Sequence, residues 1–536
     1  MSRKCVALSP ITHAPNLSCQ TTLPNHLPRK SHPNIFSRIS RVHKMNLKMS
    51  ATTVPKVFED YEEPPLQYVR GGGLLWKDVG RWPSLDAVDA RLIKIGVPCI
   101  LNFAIVPLVG AVDLFWVNQM GNPLAVAGQS AANQVFNSVF WLASFLPSVT
   151  ATLVAKEAAK GDKEGLQDAV CQAIFVGSII ALIGAPLIIM NCDKVLSVVL
   201  KKDAPALEFA RPYLLIRACS FLFQMITVVG FSAYRGLLDT VTPVKISIFA
   251  NVFNAVLDPI LIFSFAMGVP GAAIATLAAE AISAVTYLTL LRRKKMIRFR
   301  KIFSIPSWKS LEPLLKGGLA LQLRNFALNL TFLAVTRVTQ SIDETGVAAA
   351  AHALAIQTFQ VGGIVLLALS TVAQTVVPSE LVEKAEEGTG RLVGGTYAAR
   401  AVVNRLMSWS FLLGISLGVF QLAVLPALHM ATPMIEVRET AKLPSYLASI
   451  YQVFNGMVFV GEGVMIGCGN YLQLSLSTVV ATAGCLLALN TLPQKFGLAG
   501  VWWSFGVFNI LRLLGVALHQ TRTGPLASSN IIKKKM

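Results

Sequence analysis

Residues 92–117 read LIKIGVPCILNFAIVPLVGAVDLFWV, and this stretch decides the fold class. Its only charged residues are Lys94 and Asp113. A helix rises 1.5 Å per residue, so the stretch exceeds the roughly 20 residues needed to cross a hydrocarbon core about 30 Å thick. It is also too long and too continuously apolar for a barrel strand, which alternates over about ten residues. The sequence here predicts a membrane-spanning α-helix.

Similar apolar runs continue along the rest of the chain. The 536 residues are 54% hydrophobic and only 14% charged, with a mean hydropathy of +0.58, which excludes an ordinary soluble domain of this size. We therefore predict an all-α polytopic membrane protein with about 12 transmembrane helices, because only helices or closed barrels satisfy their backbone in lipid. The predicted spans lie near 92–117, 127–155, 167–190, 208–234, 241–266, 270–291, 313–337, 345–376, 397–428, 444–467, 470–491 and 498–519.

The predicted spans fall into two halves. Short motifs recur at a constant offset of roughly 220–230 residues, as expected for two six-helix lobes of the same orientation. Between the halves lies the most basic loop of the chain. We predict a first lobe at 91–292, a basic inter-lobe loop at 293–311 and a second lobe at 312–520.

The ends of the chain are polar. Residues 1–55 are rich in Arg, Lys, Ser and Pro and contain no acidic residue, which is typical of an organelle transit peptide; a disordered tail is the alternative. Residues 56–90 form a predicted linker, and 521–536 a basic tail. The prefix favours an organelle membrane, with the plasma membrane left open.

The net charge of +19 is distributed among loops rather than gathered in one module, which argues against nucleic-acid binding. Lys156, Lys160 and Lys163 follow the second span on the same side as the central basic loop, while residues 118–126 on the other side carry no Lys or Arg. This side, called the positive face below, is predicted to hold both termini. No P-loop, HExxH, GxSxG or Cys/His cluster is present, so we expect no enzyme, no metal site and no cofactor. The expected partners of a monomer are the bilayer and a small organic solute.

Two intramembrane acids are the leading functional candidates, since a charge inside the membrane costs roughly 2.5 kcal/mol or more. Asp113 lies late in the first span with no cation within helical reach. Asp258 shares one helix face with Asn251 and Asn254 by the spacing of three and four, and Pro259 bends the helix beside it. Such groups could hold a proton or a sodium ion; a polar patch that only satisfies the kink is the alternative.

Other polar residues in the spans are weaker candidates. We expect Glu280 and Glu462 to form interhelical hydrogen bonds. Arg235 and Asp239 are expected to pair with each other in a turn. A cavity compatible with anions could be lined by polar residues of the second lobe. These are Arg324, Asn325, Gln357 and Gln374.

Four segments resemble the multidrug and toxic compound extrusion (MATE) family over about residues 90–520. They read GAVDLFWV at 110–117, AKEAAKGD at 155–162, RGLLDTVTP at 235–243 and NAVLDPILI at 254–262. The last two are the more specific, and the fourth is similar to the branch that contains the bacterial DNA-damage-inducible protein F. The basic prefix is similar to plastid-envelope members of plants and algae, so the resemblance implies the plastid envelope, with another organelle or the plasma membrane as alternatives.

The resemblance implies a proton- or sodium-driven antiporter that exports an organic solute by alternating access. It assigns the cation site to Asp113, Asn254, Asp258 and, in the sixth span, Thr276. The seventh span lacks an acid that many plant and animal relatives carry, so coupling is expected in the first lobe. The alternatives are a lipid-linked precursor flippase of the same fold and a non-transporting membrane scaffold.

Overall fold

The computed structural model describes residues 82–141, 143–200, 204–343, 345–385, 392–430 and 434–527. The predicted transit peptide, most of the predicted linker and the end of the basic tail lie outside these residues. The described chain is almost entirely helical, with one antiparallel pairing of two-residue strands, β1 (Lys384–Ala385) and β2 (Leu392–Val393).

The helices follow one another with short connections. They are α1 (Ala87–Asn118), α2 (Pro123–Trp141), α3 (Phe145–Lys160), α4 (Lys163–Met190), α5 (Cys192–Leu196), α6 (Leu207–Gly236), α7 (Val241–Pro259), α8 (Val269–Arg293), α9 (Phe299–Ile302), α10 (Trp308–Gln340), α11 (Val347–Leu381), α12 (Gly395–Met430), α13 (Ile435–Gly467), α14 (Tyr471–Leu489) and α15 (Leu492–Leu518).

Eleven helices of the described chain are long and apolar enough to cross a membrane. The pair α2 and α3 passes the same test together, with a bend of 44° between its members, so the count is twelve if this pair forms one span. The predicted polytopic all-α class is confirmed. Helix α1 begins at Ala87, within the predicted linker, because Asp86 caps it by accepting from the backbone N–H groups of Val88 and Asp89.

The end of α7 departs from regular α-helix where the sequence predicts a bend. The α-helix stops at Pro259 and continues as one π-helical turn at Ile260–Ser264. Pro259 has no N–H to donate back along the helix, so the local hydrogen-bond pattern has to change there. This irregular turn lies next to Asp258 and therefore shapes the backbone around that acid.

The two halves of the spans meet near the positive face. The first half of α1 buries Val88, Leu92 and Ile95 in a cluster with side chains of α11 and α12, among them Val376 and Val403. Farther along α1, Val117 belongs to a different apolar cluster, made mostly of first-lobe residues. Helix α1 therefore contacts the second lobe near its start and the first lobe near its end.

Candidate functional site

Two acids of the first lobe meet around one amide. Asn254 Nδ2 donates to Asp113 Oδ1 at 2.7 Å and to Asp258 Oδ2 at 3.0 Å. Asn254 and Asp258 are four residues apart on α7 and share a face, while Asp113 reaches them from α1. All three side chains are buried, with Asp258 fully so. The structure thus brings together three of the four residues that the resemblance assigns to the cation site.

The hydrogen bonding of this cluster is incomplete. Asn254 Oδ1 and Asp258 Oδ1 are buried and have no hydrogen-bond partner in the described chain. Neither carboxylate takes part in an ion pair among the described residues, although the two carboxyl groups interact electrostatically with each other. Unpartnered buried oxygens are costly unless something occupies them. A proton shared by the acids would satisfy Asp258 Oδ1, and a small cation could be held by both oxygens.

The remaining first-lobe candidates lie in other surroundings. The hydroxyl of Thr276 donates to the backbone carbonyl of Ala272, one turn back in α8, at 3.0 Å. Asn251 is half-buried one turn before Asn254 on α7. Neither makes a hydrogen bond with the acid pair in the described structure.

Glu280 belongs to an ion pair that sequence reasoning missed. Arg217 of α6 donates to Glu280 Oε1 of α8 at 2.8 Å, and its guanidinium lies 4.3 Å from the centre of the Phe136 ring. The Arg217 side chain is only 7% exposed, although it lies in the middle of a span. The rule that singled out Asp113, an ionisable residue within an apolar run, would have found Arg217 as well.

The second lobe contains a contrasting cluster. Glu462 of α13 accepts from Arg324 of α10 through Oε2 and from Arg512 Nε of α15 at 2.8 Å through Oε1. The Arg512 guanidinium also lies 5.1 Å from the centre of the Phe508 ring. Glu462 thus makes interhelical hydrogen bonds, and Arg324, predicted to line a cavity, is engaged by this acid. Arg512 was missed.

The other predicted cavity residues do not converge. Asn325 donates to the Ser144 hydroxyl at 2.9 Å, which links α10 to the connection between α2 and α3. Gln374 is buried, and its backbone carbonyl accepts from Thr152 of α3 at 3.4 Å. Gln357 is exposed. Two of these residues therefore contact the first lobe, and the four do not form one site.

A recess of about 450 Å³ lies between α10 and α11 instead. Its lining is mixed polar and aromatic and includes Asn329, Phe332, Thr336, His352 and Gln360. A space of this size is at the small end of organic-ligand sites. The acid pair is not part of its lining.

Charged residues clamp the lobes together near the positive face. Arg405 of α12 is completely buried and donates to Asp89 Oδ2 at 2.6 Å and to Asp86 Oδ2 at 2.8 Å. Trp409 Nε1 donates to the second Asp89 oxygen at 2.7 Å. These contacts tie the start of α1 to the second lobe, and we call them the inter-lobe clamp. Arg91 adds a further pair with Glu380 at 2.6 Å.

The expected pairing of Arg235 with Asp239 is wrong. Asp239 accepts from Thr242 N in the first turn of α7 at 3.0 Å, and it lies 3.7 Å from Lys294. The Arg235 guanidinium lies over the Phe231 ring instead, 5.0 Å from its centre. The N-terminus of a helix attracts a carboxylate, and this interaction competes with the arginine.

Comparisons with known proteins find similar chains. The MatE family model matches residues 98–260, which include Asp113, Asn254 and Asp258. Protein DETOXIFICATION 44, chloroplastic, of Arabidopsis thaliana is 27% identical over 461 residues, covering 83% of this chain and 84% of that protein. DNA damage-inducible protein F of Escherichia coli (strain K12) is 27% identical over 443 residues, covering 81% of this chain and 92% of that protein.

The fold has a close counterpart among solved structures. A protein described as a MATE in the bent conformation superimposes with a TM-score of 0.73 over 85% of this chain and 99% of its own, at 18% identity. At that identity the likeness shows the fold alone.

Proposed function

The chain belongs to the multidrug and toxic compound extrusion family of efflux transporters, and on that premise we propose that it is a secondary antiporter. It exports an organic solute in exchange for protons or sodium ions. We propose that it acts as a monomer, because one chain holds both acids of the candidate site.

The observation that carries the proposal is the amide bridge between Asp113 and Asp258. Two carboxyl groups this close in a buried site cannot both ionise without a compensating cation. An arginine in contact would neutralise them permanently, and no described ion pair supplies one. The pair can therefore exchange its cation, which is what coupling to an ion gradient requires.

Alternating access would couple the exchange of cation and solute to a change in which face of the protein is open. The inter-lobe clamp and the apolar packing around Val88 and Leu92 close the chain near the positive face. Opening that face requires the clamp to separate, and the same rearrangement moves the end of α1 that carries Asp113. Binding of the cation and of the solute then favours different states of one equilibrium.

The solute and the membrane are part of the proposal. The solute is a xenobiotic, a phenolic metabolite or an organic acid. The relative DETOXIFICATION 44 is named as chloroplastic, and the basic prefix of this chain supports the same compartment, so we propose the plastid envelope.

Two other functions make different predictions. A flippase for a lipid-linked precursor would work without an ion gradient, and nothing about its activity would require the acid pair. A membrane scaffold would show no solute flux at all. The unpartnered oxygens of Asp258 and Asn254 favour the antiporter over both.

Reconstituted vesicles test the proposal. The purified full chain is assayed with ethidium, an organic cation, and with p-coumarate, a phenolic acid, under imposed proton and sodium gradients. We expect one gradient to drive flux of at least one probe, and Asp113→Asn to abolish the gradient dependence without loss of thermal stability.

Asp193→Asn is the matched control, because Asp193 is 63% exposed and pairs with the exposed Arg211. This variant should transport like the wild type. Gradient-driven flux that survives in Asp113→Asn and Asp258→Asn would remove both acids from the mechanism.

A further inference from the structure

The segment between the two lobes is strongly basic and is not used by the proposed transport cycle. We define the inter-lobe segment as residues 292–308, from the end of α8 to the start of α10. No acidic residue occurs between Glu280 and Glu312. Its cations are Arg292, Arg293, Lys294, Lys295, Arg298, Arg300 and Lys301.

One side of this segment is fixed to the first lobe. Met296 and Ile297 are buried at 3% and 4% exposure. Lys301 Nζ contacts Asp168 of α4 at 2.6 Å, and Gln167 Nε2 donates to the Lys295 backbone carbonyl at 2.6 Å. The segment is thus held in one orientation against the first turns of α4. A loop that served only to retain positive charge on this face would not need such contacts.

The other side is exposed, and it is apolar as well as basic. Phe303, Ile305 and Trp308 are 82%, 87% and 71% exposed. Phe299 is 44% exposed and lies 5.3 Å from the Arg292 guanidinium. Large apolar side chains gathered in an exposed patch mark an interaction surface. Their position, between the end of one span and the start of the next, is where aromatic side chains meet the headgroup region.

The cations on this side are available to a partner. Arg293, Arg298 and Arg300 are exposed, and no ion pair in the described part of the chain involves them. Lys294 and Lys301 are the two members of the segment that contact acids. In sequence, Arg298 and Arg300 lie on either side of an exposed phenylalanine and precede the other exposed apolar residues of the segment.

We propose that the inter-lobe segment binds anionic lipid headgroups of the leaflet on the positive face. Its arginines would contact the headgroup anions while Phe303, Ile305 and Trp308 enter the boundary of the acyl chains. Charge complementarity selects the anionic lipids. The mixture of arginine with exposed aromatic and aliphatic groups favours a lipid surface over an acidic protein. Because the segment joins the lobes covalently, bound lipid would restrain the connection through which they move.

Lipid retention measured by native mass spectrometry tests the proposal on the full chain. The protein is exchanged into equal mixtures of phosphatidylglycerol and phosphatidylcholine. We expect the wild type to retain phosphatidylglycerol preferentially. The triple variant Arg293→Gln/Arg298→Gln/Arg300→Gln should bind it about 100-fold more weakly, from roughly a fivefold loss for each cation removed.

The matched control removes the same charge from the same face. Lys156, Lys160 and Lys163 are exposed at the connection of α3 and α4, so the triple change of these residues to Gln should leave retention close to wild type. All six positions lie at the surface, so both variants should fold. Equal retention of the two lipids by the wild type, or an equal loss in the control, would overturn the proposal.

A second measurement tests the apolar contact. Brominated phosphatidylglycerol should quench the emission of Trp308, obtained as the difference between the wild type and Trp308→Phe. Brominated phosphatidylcholine should quench it less. Absence of quenching, or displacement of the lipid by millimolar glycerol 3-phosphate, would mean that the segment does not bind a lipid surface.

Discussion

The acid pair of the first lobe and Glu462 of the second lobe are carboxylates with similar burial and opposite partners. Asp113 and Asp258 share the amide of Asn254, and one oxygen of Asp258 has no partner. Glu462 has a guanidinium on each oxygen, from Arg324 and Arg512. Both clusters lie between helices inside a lobe.

The difference lies in what each carboxylate can exchange. An acid held between two arginines stays ionised, because releasing either partner would leave a buried charge. An acid held by a neutral amide can take up and release a cation at much lower cost. A buried acid in a membrane span is therefore a candidate for either a structural or a functional role. Its hydrogen-bond partners indicate which of the two roles it has.

The largest expected effect comes from neutralising Glu462, the acid that is paired with two arginines. Glu462→Gln leaves Arg324 and Arg512 without their counter-charge and should reduce stability by about 3–5 kcal/mol. Asp258→Asn fills the same volume and should cost no more than about 1 kcal/mol. Thermal unfolding of both variants in detergent is the measurement. Equal stability of the two variants would contradict the proposed difference between the two clusters.

The number of protons that the protein binds should depend on the first-lobe acids and not on Glu462. If the first-lobe pair exchanges protons, the wild type should take up about one more proton per molecule than Asp258→Asn over a full titration, because the variant lacks one of two acids that titrate as a unit. Potentiometric titration of the purified protein measures this difference. Conservative replacement of Glu462 by Asp should leave the count unchanged. A proton count that changes only with Glu462 would reverse the roles of the two clusters.

The inter-lobe clamp contains an acid that is paired with an arginine, like Glu462, but is proposed to change partners during transport, like the acid pair. Asp89 is fully buried and paired with Arg405, but this pair joins the two lobes, so it has to break when the positive face opens. Arg405→Gln should favour the open state and increase maleimide labelling of Cys99, 1% exposed behind the clamp, on the order of tenfold.

Another cysteine calibrates that measurement by mass spectrometry. Cys485 is buried within the second lobe and should stay protected in every variant. Glu380→Gln removes the Arg91 pair, which is less completely buried, and should have a smaller effect. Unchanged Cys99 labelling in Arg405→Gln would show that the clamp does not control the positive face.

The smallest expected effect is at Thr276. Its hydroxyl already donates within its own helix, so Thr276→Val should change gradient-driven flux by no more than about threefold, since only a local hydrogen bond is lost. The same vesicle assay compares it with Asp258→Asn. A loss as large as that of Asp258→Asn would place Thr276 in the cation site.

Residue spacing predicted part of the site and missed the rest. Asn254 and Asp258 share a face because four residues nearly complete one helical turn, and this is visible in the sequence. The approach of Asp113 came from a family resemblance, since no local rule connects positions 113 and 258. The partners Arg217 and Arg512 lie within spans and were overlooked, although the rule for ionisable residues in membranes applies to them.

Local features of the sequence were enough to predict the membrane class, a count of about twelve spans and an irregular helix at Pro259. These depend on local quantities, namely the length of an apolar run and the missing N–H of proline. Tertiary contacts, in contrast, are what neutralise Glu462 with arginines from two other helices and leave Asp258 without such a partner. The charge state of a buried group depends on what surrounds it in space, and residues distant in the chain supply those surroundings.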